Sequence, residues 1–143
     1  MVKLKKDIHI NAPVEEVFDF LTEPTNLPEI WPSMVKVKNV KHSTTKGNDF
    51  DWEYKMAGMA FQGHSDTLEY EPNKHVVIEN KDGIPSKFVW DYKPENGGMH
   101  LKLNVEYTVP VPLLGKLAEK VILKINENEM DLMLANLKVA LEY

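Results

Sequence analysis

After Pro110-Val111-Pro112-Leu113-Leu114-Gly115 the chain runs to Tyr143 without another proline or glycine. A helix of roughly thirty residues is about 45 Å long, well beyond the usual three or four turns. At 100° per residue, Lys116, Lys120, Lys124, Glu127, Asp131 and Lys138 share one narrow stripe. Leu114, Leu117, Val121, Ile125, Leu132 and Val139 form the apolar side expected to face the core, and Leu123, Met130, Met133, Leu134, Leu137 and Leu141 widen it. That arc exceeds the stripe of an ordinary surface helix. Such a helix needs cover on more than one side, and the remaining sequence supplies strands.

The strands are read from period-two alternation. Leu4, Ile8 and Ile10 alternate with Lys5, Asp7 and His9. Asn11-Ala12-Pro13 then stops the strand, and Val14, Val17, Phe18 and Leu21 take helical spacing behind Glu15 and Glu16, which favour a helix start. Pro24 opens a second short helical turn that closes at Trp31-Pro32. From Ser33 onward the period returns to two. Val35 and Val37 are expected to point inward, followed by Phe50, Trp52, Tyr54 and Met56 in the cleanest strand of the chain. Phe61 to Tyr70 is a further strand of ambiguous facing: an inward Tyr70 carries Gln62, His64 and Asp66 inward with it. A short strand at His75–Glu79 precedes Phe88, Trp90 and Tyr92, and then Met99 to Val109. Short turns join these strands, so they pair as antiparallel neighbours. The order β, two short α, six β, one long α predicts an α+β layer in a single domain spanning 1–143. Its seven-stranded antiparallel sheet curves around the long C-terminal helix.

Composition removes several function classes. The net charge of −5 gives no support to nucleic acid as a main partner. Without cysteine there is no disulfide, thiol nucleophile or cysteine metal site. That composition fits a cytoplasmic protein, the expected location. No apolar run has signal-peptide character or the length to span a membrane. No G-x-S-x-G, G-x-G-x-x-G, Walker A or H-E-x-x-H spacing is present. Binding is therefore expected to need no metal and no cofactor.

The segment Ile8-His-Ile-Asn-Ala-Pro-Val-Glu-Glu-Val-Phe-Asp-Phe-Leu-Thr-Glu-Pro-Thr-Asn-Leu-Pro-Glu-Ile-Trp31 resembles the opening of the START-related (SRPBCC) superfamily. That group includes polyketide cyclase/dehydrase-like proteins and plant pollen allergens. Leu68-Glu-Tyr-Glu-Pro-Asn-Lys-His-Val76 is similar to the family's strand-turn-strand with its central proline. The glycine-rich loop of the plant allergens is absent: only Gly47 lies between the second and third strands. The resemblance implies a helix-grip fold with a cavity between sheet and C-terminal helix, where many members bind apolar or amphipathic small molecules. Some members are enzymes; others are co-chaperones or transport proteins.

The expected partner is a hydrophobic or amphipathic small molecule. The candidate binding residues are Trp52, Tyr54, Met56, Trp90, Tyr92 and Tyr107 from the sheet, with Glu129, Met133 and Asn136 from the helix. Rings and thioethers supply apolar area, and the polar side chains fix orientation. Glu129 on an apolar face demands a partner or a proton. Two rivals remain. One is a cyclase or dehydrase in which Glu129, His64 or Tyr92 moves protons. The other is an interaction module, a homodimer among its forms, using Leu123, Met130, Leu134, Leu137 and Leu141. His9, His42, His75 and His100 are expected to face outward, and Lys116, Lys120 and Lys124 form a basic ridge that reads as a solvated face.

Overall fold

The structure, a computed structural model, describes residues 1–110 and 116–142. Leu113 and Leu114, expected to open the long helix, lie outside the described residues. In chain order the elements are β1 (Val2–Ile10), α1 (Val14–Thr22), a 3-10 turn (Pro24–Asn26) and α2 (Leu27–Ile30). They continue with β2 (Met34–Lys41), β3 (Asp49–Met56), β4 (Met59–Glu71), β5 (His75–Asn80), β6 (Ser86–Glu95), β7 (Gly98–Tyr107) and α3 (Lys116–Leu141). All seven strands form one antiparallel sheet in the order β1-β7-β6-β5-β4-β3-β2. It curves around α3, the expected helix-grip arrangement.

Proline chemistry organises the opening. Pro13 has φ −59°, compatible with its ring, and its carbonyl accepts from the N–H groups of Glu16 and Val17. Val14, Val17, Phe18 and Leu21 are the buried face of α1. Pro24 starts the 3-10 turn, and α2 buries Leu27 and Ile30.

Two strand irregularities decide which side chains face inward. In β4 a bulge falls between Thr67 and Glu69. One extra residue reverses the facing beyond it, so Ser65 and Thr67 before the bulge and Tyr70 after it all reach the interior. His64 and Asp66 consequently lie on the outer face, and Leu68 is exposed. In β2, register shifts flank Lys36–Lys38, Asn39 takes φ +53°, and Val35 is exposed rather than inward.

The long helix turns a different face to the sheet from the one its pattern suggests. Met130, Met133, Leu134, Leu137 and Leu141 are buried, together with Asn126. Leu117, Val121, Ile125, Leu132 and Val139 are exposed. The apolar arc is wide enough for either half to serve. Charged contacts with β1 accompany the choice. Lys6 shares the inner face of β1 with Leu4 and Ile8 by strand parity, and its Nζ lies 2.8 Å from Glu127 and 3.0 Å from Asp131. The ammonium beside Glu127 holds that carboxyl below its ordinary range. Lys138 donates to the His9 carbonyl, and Glu142 accepts from the Asn11 N–H. These bonds also occupy backbone groups at the end of an edge strand that would otherwise stay open.

Candidate ligand-binding cavity

Cross-strand register builds the inner wall in rungs. One rung runs Phe50, Ser65, Asn80, Ser86, Tyr107 across β3 to β7, each residue opposite the next. The next aligns Thr67, Ile78, Phe88 and Val105. Val76 and Trp90 follow, and Tyr92 comes beyond them. The sheet thus presents one polar band beside an apolar and aromatic field.

Asn80 is the centre of the polar band and is buried. Its Oδ1 accepts from Trp52 Nε1 at 2.9 Å and from the Ser65 hydroxyl, and its Nδ2 donates to Ser86 Oγ at 2.9 Å. The Ser86 hydroxyl in turn donates a hydrogen bond to the Ile84 carbonyl. At the α3 side, Asn126 Nδ2 donates to Tyr107 Oη at 3.0 Å and lies 3.7 Å from Met56 Sδ. Trp31 Nε1 donates to Tyr54 Oη at 3.1 Å. Among the described residues no buried side-chain polar atom lacks a partner. Gly63 is required beside this network: a Cβ there would run into the Trp52 ring and the Asp82 carbonyl.

The aromatic field is held by edge contacts. Trp31 meets Tyr54 and Phe88 at 5.6 and 5.7 Å, and Phe18 meets Tyr92 at 4.9 Å. These separations suit tilted aromatic pairs. They bring α1 and the α2 end onto the sheet and close one end of the interior.

Between these walls and α3 lies a partly enclosed cavity offering about 100 Å³ to the centres of water molecules. A single water needs only about 10–15 Å³ on that measure. Trp52, Tyr54, Met56, Trp90, Tyr92 and Tyr107 all line it, as do Trp31, Phe50 and Phe88. From α3 the lining residues are Asn126 and Met130.

Glu129, Met133 and Asn136 do not line the cavity. Glu129 Oε1 accepts from the Ser33 N–H at 2.7 Å, and Asn136 Nδ2 donates to the Ile30 carbonyl at 3.0 Å. Both tie α3 to the end of α2 and the residues after it, because each sits at the margin of the buried arc. Met133 is fully buried in packing. The set Leu123, Met130, Leu134, Leu137 and Leu141, considered for protein interaction, faces inward or packs against the core. Sequence reasoning missed Ser65, Asn80, Ser86 and Asn126. Asn80 shares the parity of Val76 and Ile78, and that parity was the available signal.

No residue described as lining the cavity is a carboxylate, an imidazole or an amine. The tyrosines keep their protons: burial pushes the Tyr54, Tyr92 and Tyr107 phenols up from their ordinary value. The Tyr92 hydroxyl makes no hydrogen bond to the described residues, and its oxygen is not among the fully buried polar atoms.

The titratable groups cluster on the outer face instead. His64 Nδ1 lies 2.6 Å from Asp51, and its Nε2 lies 3.2 Å from Asp66. His75 is held likewise between Asp91 and Glu69. The bond to Asp51 raises the His64 pKa above 6.5. Asp49, His64 and Asp66 could offer one ligand atom each to a cation, which would compete with the proton that the neighbouring carboxylates favour on His64. NMR titration should place the His64 midpoint above 6.5, and Asp51→Asn should return it toward that value. The raised folded pKa means that this contribution to stability is present below the unfolded pKa and lost as pH rises through the folded one.

A curved antiparallel sheet gripping a C-terminal helix over a cavity defines a helix-grip protein of the SRPBCC superfamily. The chain belongs to the family described as polyketide cyclase/dehydrase and lipid transport, which matches residues 1–142. Comparison with curated proteins gives no match. Among solved structures, the di-domain aromatase/cyclase StfQ of the steffimycin pathway superposes with TM-score 0.76 at 17% identity, over 96% of this chain and 49% of that one. The Zhui aromatase/cyclase of a Streptomyces species gives 0.76 at 12% identity, over 97% and 92%. A Thermus thermophilus protein gives 0.74 at 18% identity, over 96% and 94%. At these identities the likeness is one of fold. Among the described residues, no helix is long and apolar enough to cross a membrane.

Proposed function

We propose that residues 1–143 act as one unit binding an electrically neutral, ring-containing small molecule in the cavity between the sheet and α3. The observation that carries this reading is the lining: aromatic rings, three thioethers (Met34, Met56 and Met130) and a band of neutral amides and hydroxyls, with no ionisable acid or base among the described residues except phenols. An unpaired charge moved into such surroundings loses its hydration with no compensation, whereas flat apolar surface gains by burial. Trp52, Trp90 and Phe88 supply that surface. Tyr92 supplies a free hydroxyl to a carbonyl or phenol on the guest.

The test is a tryptophan-fluorescence titration with 2-naphthol and with 2-naphthoate at neutral pH. The neutral probe should bind at least about tenfold tighter, the equivalent of about 1.4 kcal/mol. Tyr92→Phe should weaken 2-naphthol while leaving thermal stability nearly unchanged. Equal affinity for the two probes, or a preference for the carboxylate, would defeat the proposal.

A cyclase or dehydrase reading has the support of the family and of two structural neighbours that are aromatase/cyclases. The residues nominated for proton transfer do not favour it. Glu129 is bound to the Ser33 backbone outside the cavity, His64 is on the outer face, and Tyr92 holds its proton. Catalysis in this cavity would work through the shape it imposes on a folded guest.

A further inference from the structure

We infer that the outer face of α3 joins two copies of this chain in an antiparallel helix pair. Five of the nine large apolar side chains that the described fold leaves exposed lie on this one helix: Leu117, Val121, Ile125, Leu132 and Val139. Their spacings are four, four, seven and seven residues, which keeps them, with Ala135, within an arc of about 80°. From Leu117 to Val139 the stripe is about 33 Å long. Seven-residue spacing of apolar side chains is the seam of a helix pair. Asn126 and Met130 line the cavity from the opposite side of α3, so an occupant of the stripe leaves the cavity intact.

Charge placement selects a second copy, and its direction. One border of the stripe carries Lys120, Lys124 and Glu127 in the N-terminal half and Asp131, Lys138 and Glu142 at the C-terminal end, so its net charge passes from positive to negative along the helix, with Asp131 also pairing with Lys6 and Glu142 with Lys138 of the same chain. Lys124 and Asp131 are largely exposed, 69% and 55%. An antiparallel pair crossing at the exposed Asn128 sets Ile125 beside Leu132 of the partner subunit and Val121 beside Ala135 of the partner subunit. It sets Leu117 beside Val139 of the partner subunit and Lys124 opposite Asp131 of the partner subunit, each contact occurring twice by symmetry. Asn128 meets its own copy at the centre, a polar position that fixes register. A membrane-surface helix would carry lysine and arginine along its polar face; this border has both signs, on a chain of net charge −5. A single strip of this length is a weak, transient interface rather than an obligate one, so the pair forms reversibly.

Sedimentation velocity from micromolar to several hundred micromolar protein, at low salt, tests this. The wild type should move from 16.4 kDa toward twice that mass, and Ile125→Glu with Leu132→Glu should stay monomeric with an unchanged melting temperature. Lys124→Asp should weaken the dimer by about tenfold with an unchanged melting temperature, because Lys124 is largely exposed and Asp131, which also pairs with Lys6, is left in place. A wild type that is monomeric throughout, a dimer that survives the Ile125/Leu132 pair of changes, or a Lys124→Asp variant that associates as tightly as the wild type would overturn the inference. So would a monomer that partitions onto lipid vesicles through this stripe.

Discussion

Asn80→Leu is expected to destabilise the fold by about 3 kcal/mol, with a drop in Tm of roughly 10 °C. Leucine keeps the branched skeleton of asparagine but is bulkier, so some overpacking adds to the lost hydrogen bonds. It strands the Trp52 N–H and the Ser65 hydroxyl, both of which bond to Asn80 Oδ1, and it removes the donor that Ser86 receives. Each buried group left without a partner costs about 1–3 kcal/mol. Urea denaturation followed by tryptophan fluorescence measures the loss, and the native emission should shift because Trp52 loses its partner. Ser65→Ala is the control: it removes one donor and leaves Asn80 with Trp52 and Ser86, so its cost should be about 1 kcal/mol. A loss below about 1 kcal/mol for Asn80→Leu would mean that this rung is not the polar spine of the sheet.

The second large effect lies on α3. Leu137→Ala should cost between about 2 and 5 kcal/mol, because a fully buried leucine leaves a cavity that its neighbours only partly fill. Leu132→Ala, five residues earlier on the same helix, should change stability by less than about 0.5 kcal/mol, because that side chain already meets solvent. Thermal or urea unfolding of the two variants at low protein concentration measures both. If Leu132→Ala were the more damaging, the helix would be turned to the sheet by its other face.

This contrast marks where sequence reading of α3 reached its limit. Its pattern is apolar over so wide an arc that helical periodicity alone does not choose a side. Leu117, Val121, Ile125, Leu132 and Val139 look like a core stripe and are exposed; Met133, Leu134 and Leu137 look like a widening and form the core. The bonds from Lys6, Lys138 and Glu142 to distant groups accompany that orientation, and pairings over more than a hundred residues leave no local trace. Glu129 and Asn136 were displaced by the same rotation, from cavity groups to fasteners of the α2 end. In the sheet the reading was firmer. Trp52, Tyr54 and Met56, then Trp90 and Tyr92, alternate without interruption, and all of them line the cavity. β4 and β2 resisted: one bulged residue reverses the facing of everything beyond it in β4, and the register shifts of β2 leave Val35 exposed.

What the sequence by itself determined is the order of elements, the helix-grip class, the family and the inward set of the regular strands. The elements and their facing follow from period, proline position and turn residues, which act over a few neighbouring residues; the family and its helix-grip class follow from the resemblance carried by Ile8–Trp31 and Leu68–Val76. Tertiary structure alone decided which face α3 buries, the outward placement of His64, and the joining of Ser65, Asn80, Ser86 and Trp52 into one network. These depend on cross-strand register and on ion pairs between distant segments, and such contacts exist only once the sheet has closed around its helix.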